Sequence, residues 1–254
     1  MLLIGTVHID LNGPRRLEAI LNRFRPKKVA VEWSGNIDLG EIVSQIQIAK
    51  HLMLKQLKEL KLDLPSNLLG LMYEEVDARG YEFFVPYNYC KGNGLELLCV
   101  DHPALLEGKG IKIPECLSQN SYEDLLREMY SELSSDDVLK LKNFSCDELR
   151  KRYTELLDKA YYDIDFFDEI DKQIPQWYQR LIMDFFGPYI NDPIYIEERE
   201  KYMAEELLRL KPDMYIGGLG HMVEGYKEKE GVVPLFKRIE DPQIIRLCEA
   251  DILC

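Results

Sequence analysis

The sequence predicts an α/β fold: a central, mainly parallel β-sheet flanked by helices, with a helical insertion. Short apolar runs recur along the chain at Leu2–Ile4, Val29–Trp33, Leu97–Val100 and Met214–Ile216. Long stretches of helical periodicity separate them. The first two runs are joined by one helical segment over about thirty residues, the span of a parallel, right-handed βαβ unit.

Each element has its own signal. Leu2–Ile4 is stopped by Gly5, and Pro14 opens "PRRLEAILNRFR", in which Leu17, Ile20, Leu21 and Phe24 recur at helical spacing. Pro26 ends that helix and "KKVAVEWS" supplies the second strand. Residues 39–71 are helical in pattern, and "YEEVDARGYEFFVPYNYCKGNG" continues in helical or irregular form to the third strand, which ends on Asp101, His102 and Pro103. Residues 108–191 read as a helical insertion or cap, with Ser121, Ser134 and Ser145 as candidate N-caps. Its cluster "AYYDIDFFDEI" reads as insertion core rather than a ligand platform. "IYIEEREKYMAEELLRL" is an amphipathic helix stopped before Pro212, and it leads to the fourth strand. "GVVPLFKRI" is expected to add a last strand at an edge, where Pro234 is tolerated and a homodimer contact could form. At 254 residues the whole reads as one α/β domain, residues 1–254, carrying the insertion.

Ligand sites of open parallel sheets lie beyond the carboxyl ends of the strands. The chemistry-bearing residues at or just past the ends of the predicted strands are His8, Glu32, Asp101 with His102, and His221. Three of the chain's 4 histidines therefore converge on one sheet edge with two carboxylates, while His51 reads as a structural or exposed residue. Two of the histidines close matching Gly-x-x-His runs, "GTVH" at Gly5–His8 and "GLGH" at Gly218–His221, and the glycines leave room for backbone or substrate to come near. Imidazole and carboxylate are ligands for zinc, manganese, cobalt or iron. A cation held by two histidines would acidify a bound water, with a carboxylate such as Glu32 taking the proton, so hydrolysis follows as the reaction class.

Composition narrows the alternatives. A formal net charge of −13 repels a phosphate backbone, so nucleic acid is not an expected partner. No apolar run approaches the roughly 20 residues of a membrane span, and the amino terminus lacks the pattern of a secretory leader, which gives a soluble, cytoplasmic expectation. The six cysteines form no Cys-x-x-Cys pair and read as buried or incidental thiols. "GGLGHM" lacks the third glycine of a dinucleotide fingerprint, and the phosphate-loop, His-Glu-x-x-His and Gly-x-Ser-x-Gly motifs do not occur.

Taken together, "GTVH", "VEW" ending on Glu32, "RGYEF" with Glu82, "VDHP" with Asp101, "EERE" with Arg199, and "GLGH" resemble the TraB/PrgY/Tiki group. That group belongs to a wider superfamily with erythromycin-esterase-like and ChaN-like proteins. The resemblance runs over nearly the whole chain except the insertion, and the paired Gly-x-x-His motifs are its specific part. It implies a sheet that brings the two motifs together and, by analogy with Tiki members, metal-dependent proteolysis. His8 and His221 would then be metal ligands for a divalent ion, with manganese, cobalt and zinc as the candidates. Glu32, Glu82 and Arg199 would be catalytic, Arg199 by binding a carboxylate or stabilising developing negative charge. Asp101 and His102 would stand behind them in supporting roles.

The expected function is a metal-dependent, peptidase-like hydrolase acting on a peptide or small-molecule substrate. Two rivals stand beside it. One is a metal-free, esterase-like hydrolase with a histidine base, and the other a non-catalytic regulatory protein that binds a peptide, metal or haem.

Overall fold

Among the described residues five strands form a single all-parallel sheet in the order β3-β2-β4-β1-β5. They are β1 (Leu2–Thr6), β2 (Val29–Ser34), β3 (Leu97–Asp101), β4 (Met214–Gly218) and β5 (Gln243–Arg246). The helices among the described residues include α1 (Gly13–Phe24), α2 (Leu39–Glu59), α3 (Ser66–Ala78), α4 (Tyr81–Asn93), α5 (Ser135–Lys142), α6 (Cys146–Ala160), α7 (Pro193–Leu210) and α8 (Ala250–Leu253). The computed structural model describes residues 1–34, 38–59, 64–103, 127, 135–166, 169, 193–225 and 233–254.

The strands are apolar on both faces because both faces are covered. Side chains alternate across a strand, so Ile4, Val31, Met214 and Ile216 pack on one side with Leu17, Ile20 and Leu21 of α1 and Tyr81 of α4. Leu3, Ala30 and Tyr215 point the other way, onto Met203, Ala204 and Leu207 of α7. The result is a helix–sheet–helix sandwich. The same alternation continues to the strand end: Glu32 lies on the α7 side with Ala30, and Trp33 turns to the α4 side, where its ring meets Phe83 edge-on at 5.3 Å.

Local signals account for the boundaries that position the site. Pro14 sits in the first turn of α1, as read from the sequence, and Arg25 closes that helix in a left-handed conformation. Gly80, at φ 71°, supplies the left-handed residue from which α4 starts, which puts Glu82 in that helix's first turn. Ser145 caps α6 in a reciprocal capping box with Glu148. Ser121, Ser134 and most of the remaining predicted insertion lie outside the described residues. Its described helix α6 contributes Leu157, and the residue after it Tyr161, to the main core.

The expected edge strand at "GVVPLFKRI" is corrected. Its described part turns after Pro234 into a 3-10 helix, Leu235–Arg238, with Leu235 buried under α7. The edge strand is β5, further along, pairing with β1 from Leu2↔Gln243 to Gly5↔Arg246. Only Ile245 in that short strand is fully buried, so its four residues carry no clear alternation. The homodimer edge placed at "VVPLF" loses its strand. Among the described residues no helix is long and apolar enough to cross a membrane.

Candidate functional site

The chain's two ends meet in the sheet. β1 and β4 are neighbours, registered from Leu2↔Met214 to Thr6↔Gly218, with Gly5 opposite Gly217. Both Gly-x-x-His runs therefore leave the same sheet edge side by side. Gly5 serves packing: a Cβ there would stand 2.7 Å from Leu219 Cδ1, in the 3-10 turn that carries His221. Gly218 differs, since a Cβ would lie 3.4 Å from Glu32 Oε2, an ordinary contact.

His221, Glu32, Arg199, Asp101 and Glu200 form one bonded cluster. Arg199 reaches from α7 and donates through Nε and Nη2 to the two oxygens of Asp101, at 2.7 and 2.6 Å, and through Nη2 to Glu32 Oε1 at 2.6 Å. Glu32 Oε1 also accepts from His221 Nε2 at 2.9 Å, and Glu32 Oε2 from the Gly218 amide at 2.7 Å. The other nitrogen of His221, Nδ1, is bonded to Glu200 Oε1. Glu200 is 2% exposed and its Oε2 accepts no hydrogen bond among the described residues.

His8 stands in a more open setting. Its Nδ1 donates to Glu82 Oε1 at 2.8 Å, from a ring with 57% of its side-chain surface exposed to a carboxylate with 8%. Glu82 Oε2 also accepts no bond among the described residues. His8 is close enough to Glu32 and His221 to feel both charges. Each motif histidine thus has Nδ1 set on a buried carboxylate, an arrangement that fixes ring orientation and directs chemistry to Nε2.

The electrostatics separate the two rings. Burial lowers the pKa of His221, but the charges of Glu200 and Glu32 and their hydrogen bonds outweigh it and raise it to about 10. His221 is thus an imidazolium donating from both nitrogens. Desolvation likewise pulls His8 down, and the charge and hydrogen bond of Glu82, aided by Glu32, raise it to about 9; water at its exposed edge tempers that pull. Burial pushes Glu32 up, yet His221, Arg199 and the Gly218 amide hold it well below the usual carboxylate range. Glu32 is a poor proton acceptor at neutral pH, unlike the role expected from the sequence.

The same bonds bear on a metal. Four carboxylates (Glu32, Glu82, Asp101, Glu200) face three cationic groups (Arg199, His8, His221), so the cluster largely neutralises itself. His221 has no lone pair to offer while it bonds both glutamates. Among the described residues no group of three or more His, Cys, Asp or Glu side chains is arranged to hold an ion. As arranged, the donor set does not fit a divalent metal.

Every site residue named from the sequence lies at this edge, in different ways. Glu32, Asp101, Arg199 and His221 share one bonded network, and His8 with Glu82 forms a second pair beside it. His102 joins through its backbone, whose N–H donates to Asp101 Oδ1 at 2.7 Å, while its ring stacks edge-on against Tyr202 at 4.9 Å between centroids. Sequence reasoning missed Glu200. It lies next to Arg199 in "EERE", and the 100° turn between consecutive helical residues sends one side chain to Glu32 and the other to His221. The available signal was a glutamate at i, i+3, i+4, i+7 spacing with the apolar Met203, Ala204 and Leu207, which places it on the helix face that the structure buries.

Compared with protein families, curated proteins and solved structures, the chain matches none.

Proposed function

We propose that this chain is a hydrolase, peptidase- or esterase-like, in which the His8–Glu82 pair handles the proton. The observation that carries the reading is His8 itself: an exposed imidazole at a parallel-sheet edge, its Nδ1–H committed to a buried carboxylate. In its neutral form that tautomer leaves Nε2 as the lone-pair face, the arrangement of a histidine that activates water for attack on a carbonyl. The proton taken at Nε2 then serves the leaving group. Arg199, Asp101, Glu32 and His221 form a rigid, charge-paired wall beside it, which fits substrate positioning better than proton transfer.

The resemblance to the TraB/PrgY/Tiki group supports hydrolysis of a peptide and also implies a divalent metal. One feature favours that second version: histidines backed at Nδ1 by carboxylates are typical of metal ligands. It requires His221 to release Glu32 before either can take an ion. Manganese, cobalt and zinc remain the candidates for that version.

One experiment separates the readings. Protein stripped with a chelator is incubated with panels of peptides and of carboxylate esters, and products are read by mass spectrometry for the native chain and His8→Ala. Hydrolysis that survives stripping, is lost in His8→Ala and rises with pH towards a plateau above about 9 supports the histidine-base reading. Hydrolysis only after manganese, cobalt or zinc is restored favours the metal version. A retained ligand without product would favour the binding-protein reading.

A further inference from the structure

The loop that carries His8 is held by groups the proton chemistry does not use. The residue before His8, Val7, donates its N–H to the Tyr161 hydroxyl at 3.3 Å, and its carbonyl accepts from the Tyr81 hydroxyl at 3.0 Å. Just beyond His8, the Ile9 carbonyl accepts from the Tyr153 hydroxyl at 3.1 Å. Tyr161 in turn donates to Asp10 Oδ2 at 3.0 Å. Asp10 also takes the Asn12 amide at 2.8 Å and Arg16 Nη1 at 3.0 Å. The chain is thus gripped on both sides of His8 by hydroxyls from α4, from α6 and from the turn just after it.

Tyr161 and Arg16 are each 1% exposed, so this grip is internal. Arg16 extends it: Nε bonds Asp251 in α8 at 2.9 Å, and Nη1 pairs with Asp158 in α6 at 2.8 Å. A buried hydroxyl that both accepts from one loop residue and donates to another fixes their spacing. Removing it leaves a buried N–H without a partner, which the loop can repair only by moving. Burial raises Tyr161 well above the ordinary phenol range, so the hydroxyl stays a donor.

We propose that Tyr161 is a positioning residue of the candidate site: by holding Val7 and Asp10 together it sets the direction in which His8 leaves β1 and meets Glu82. The helix α6 region, read from the sequence only as insertion core, is then part of the site's geometry. The proposal rests on His8 being the working imidazole, and its test is read on the ring, so it fails separately from any failure to find turnover.

The test compares the native chain with Tyr161→Phe and Leu157→Ala by nitrogen-15 NMR, with His8→Ala used to assign the signals. Leu157 lies on α6 in the same core, 2% exposed, with its side chain outside these loop hydrogen bonds, so its truncation controls for loosened packing. Exchange of the Val7 amide and of the His8 Nδ1–H with water should accelerate roughly tenfold or more in Tyr161→Phe and stay near native in Leu157→Ala. Native-like exchange in Tyr161→Phe, or equal acceleration in Leu157→Ala, overturns the proposal. If Tyr161→Phe does not fold, Tyr153→Phe removes only the part-buried bond to Ile9. A smaller acceleration at His8 then supports the clamp, and unchanged exchange contradicts it.

Discussion

The two Gly-x-x-His runs are alike in sequence and unlike in setting. His221 is 15% exposed, bonded at both nitrogens and locked into a network with Arg199. His8 is 57% exposed and bonded at one nitrogen. Neighbouring parallel strands bring the motifs to the same edge, but what each histidine does there is set by the helix behind it. α7 delivers an arginine and a glutamate to one side, and α4 a single glutamate to the other. A repeated motif marks a place in the fold, while its chemistry depends on residues far away in the chain.

Breaking the locked side should cost the most. Arg199→Ala leaves Glu32 and Asp101 buried without their shared cation and should destabilise the chain by about 3–5 kcal/mol in denaturant unfolding. A loss below about 1 kcal/mol would mean that this network is open to water. His221→Ala strands Glu200 and weakens the hold on Glu32, and about 2–4 kcal/mol is expected from the same measurement. His8→Ala should cost only about 1 kcal/mol or less, because water can enter beside Glu82. Equal losses for the two histidine variants would erase the distinction between them.

Gly5→Ala probes how tightly the two motifs are packed. The added methyl meets Leu219, and about 1–3 kcal/mol is expected for the forced shift of the turn carrying His221. Gly218→Ala should be milder, since its methyl meets only ordinary contacts.

The effect spread over the widest range is a slope in pH. His221 has a folded pKa raised to about 10 from 6.5, so its contribution to stability is complete below pH 6.5 and is lost as pH rises through about 10. Glu32 is shifted the other way from 4.5: its contribution is present above that value and is lost as pH falls. Stability from this cluster should therefore be greatest between about pH 4.5 and 6.5 and decline on the alkaline side. His221→Ala should lose the larger share of the alkaline decline, leaving the part that His8, raised to about 9, contributes, and an unchanged decline in the variant would place it elsewhere.

The parts of this site that were legible in the sequence are those that follow from strand ends. His8, Glu32, Asp101 and His221 stand at or just past the ends of short apolar runs, and a parallel sheet sends all such ends to one edge. Glu82 and Arg199 carry no such mark, because they sit within helices where a charged residue is ordinarily solvated; they came from the resemblance alone. Glu200 was hidden by its neighbour Arg199, and Asp10 and Arg16 by the absence of any local pattern that joins a loop to three helices. β5 was missed because four residues cannot establish a period, and "VVPLF" was overread because an apolar run can cap a helix layer as readily as enter a sheet.

The most direct test is the protonation of the two histidines in the metal-free protein at neutral pH, read from the nitrogen-15 shifts of their rings before and after zinc is added. The account predicts that His221 carries protons on both nitrogens, held by Glu200 and Glu32, and that zinc leaves it unchanged. Loss of the His221 Nε2 proton on adding zinc, with the signal of a metal-bound nitrogen there and at His8, would contradict it.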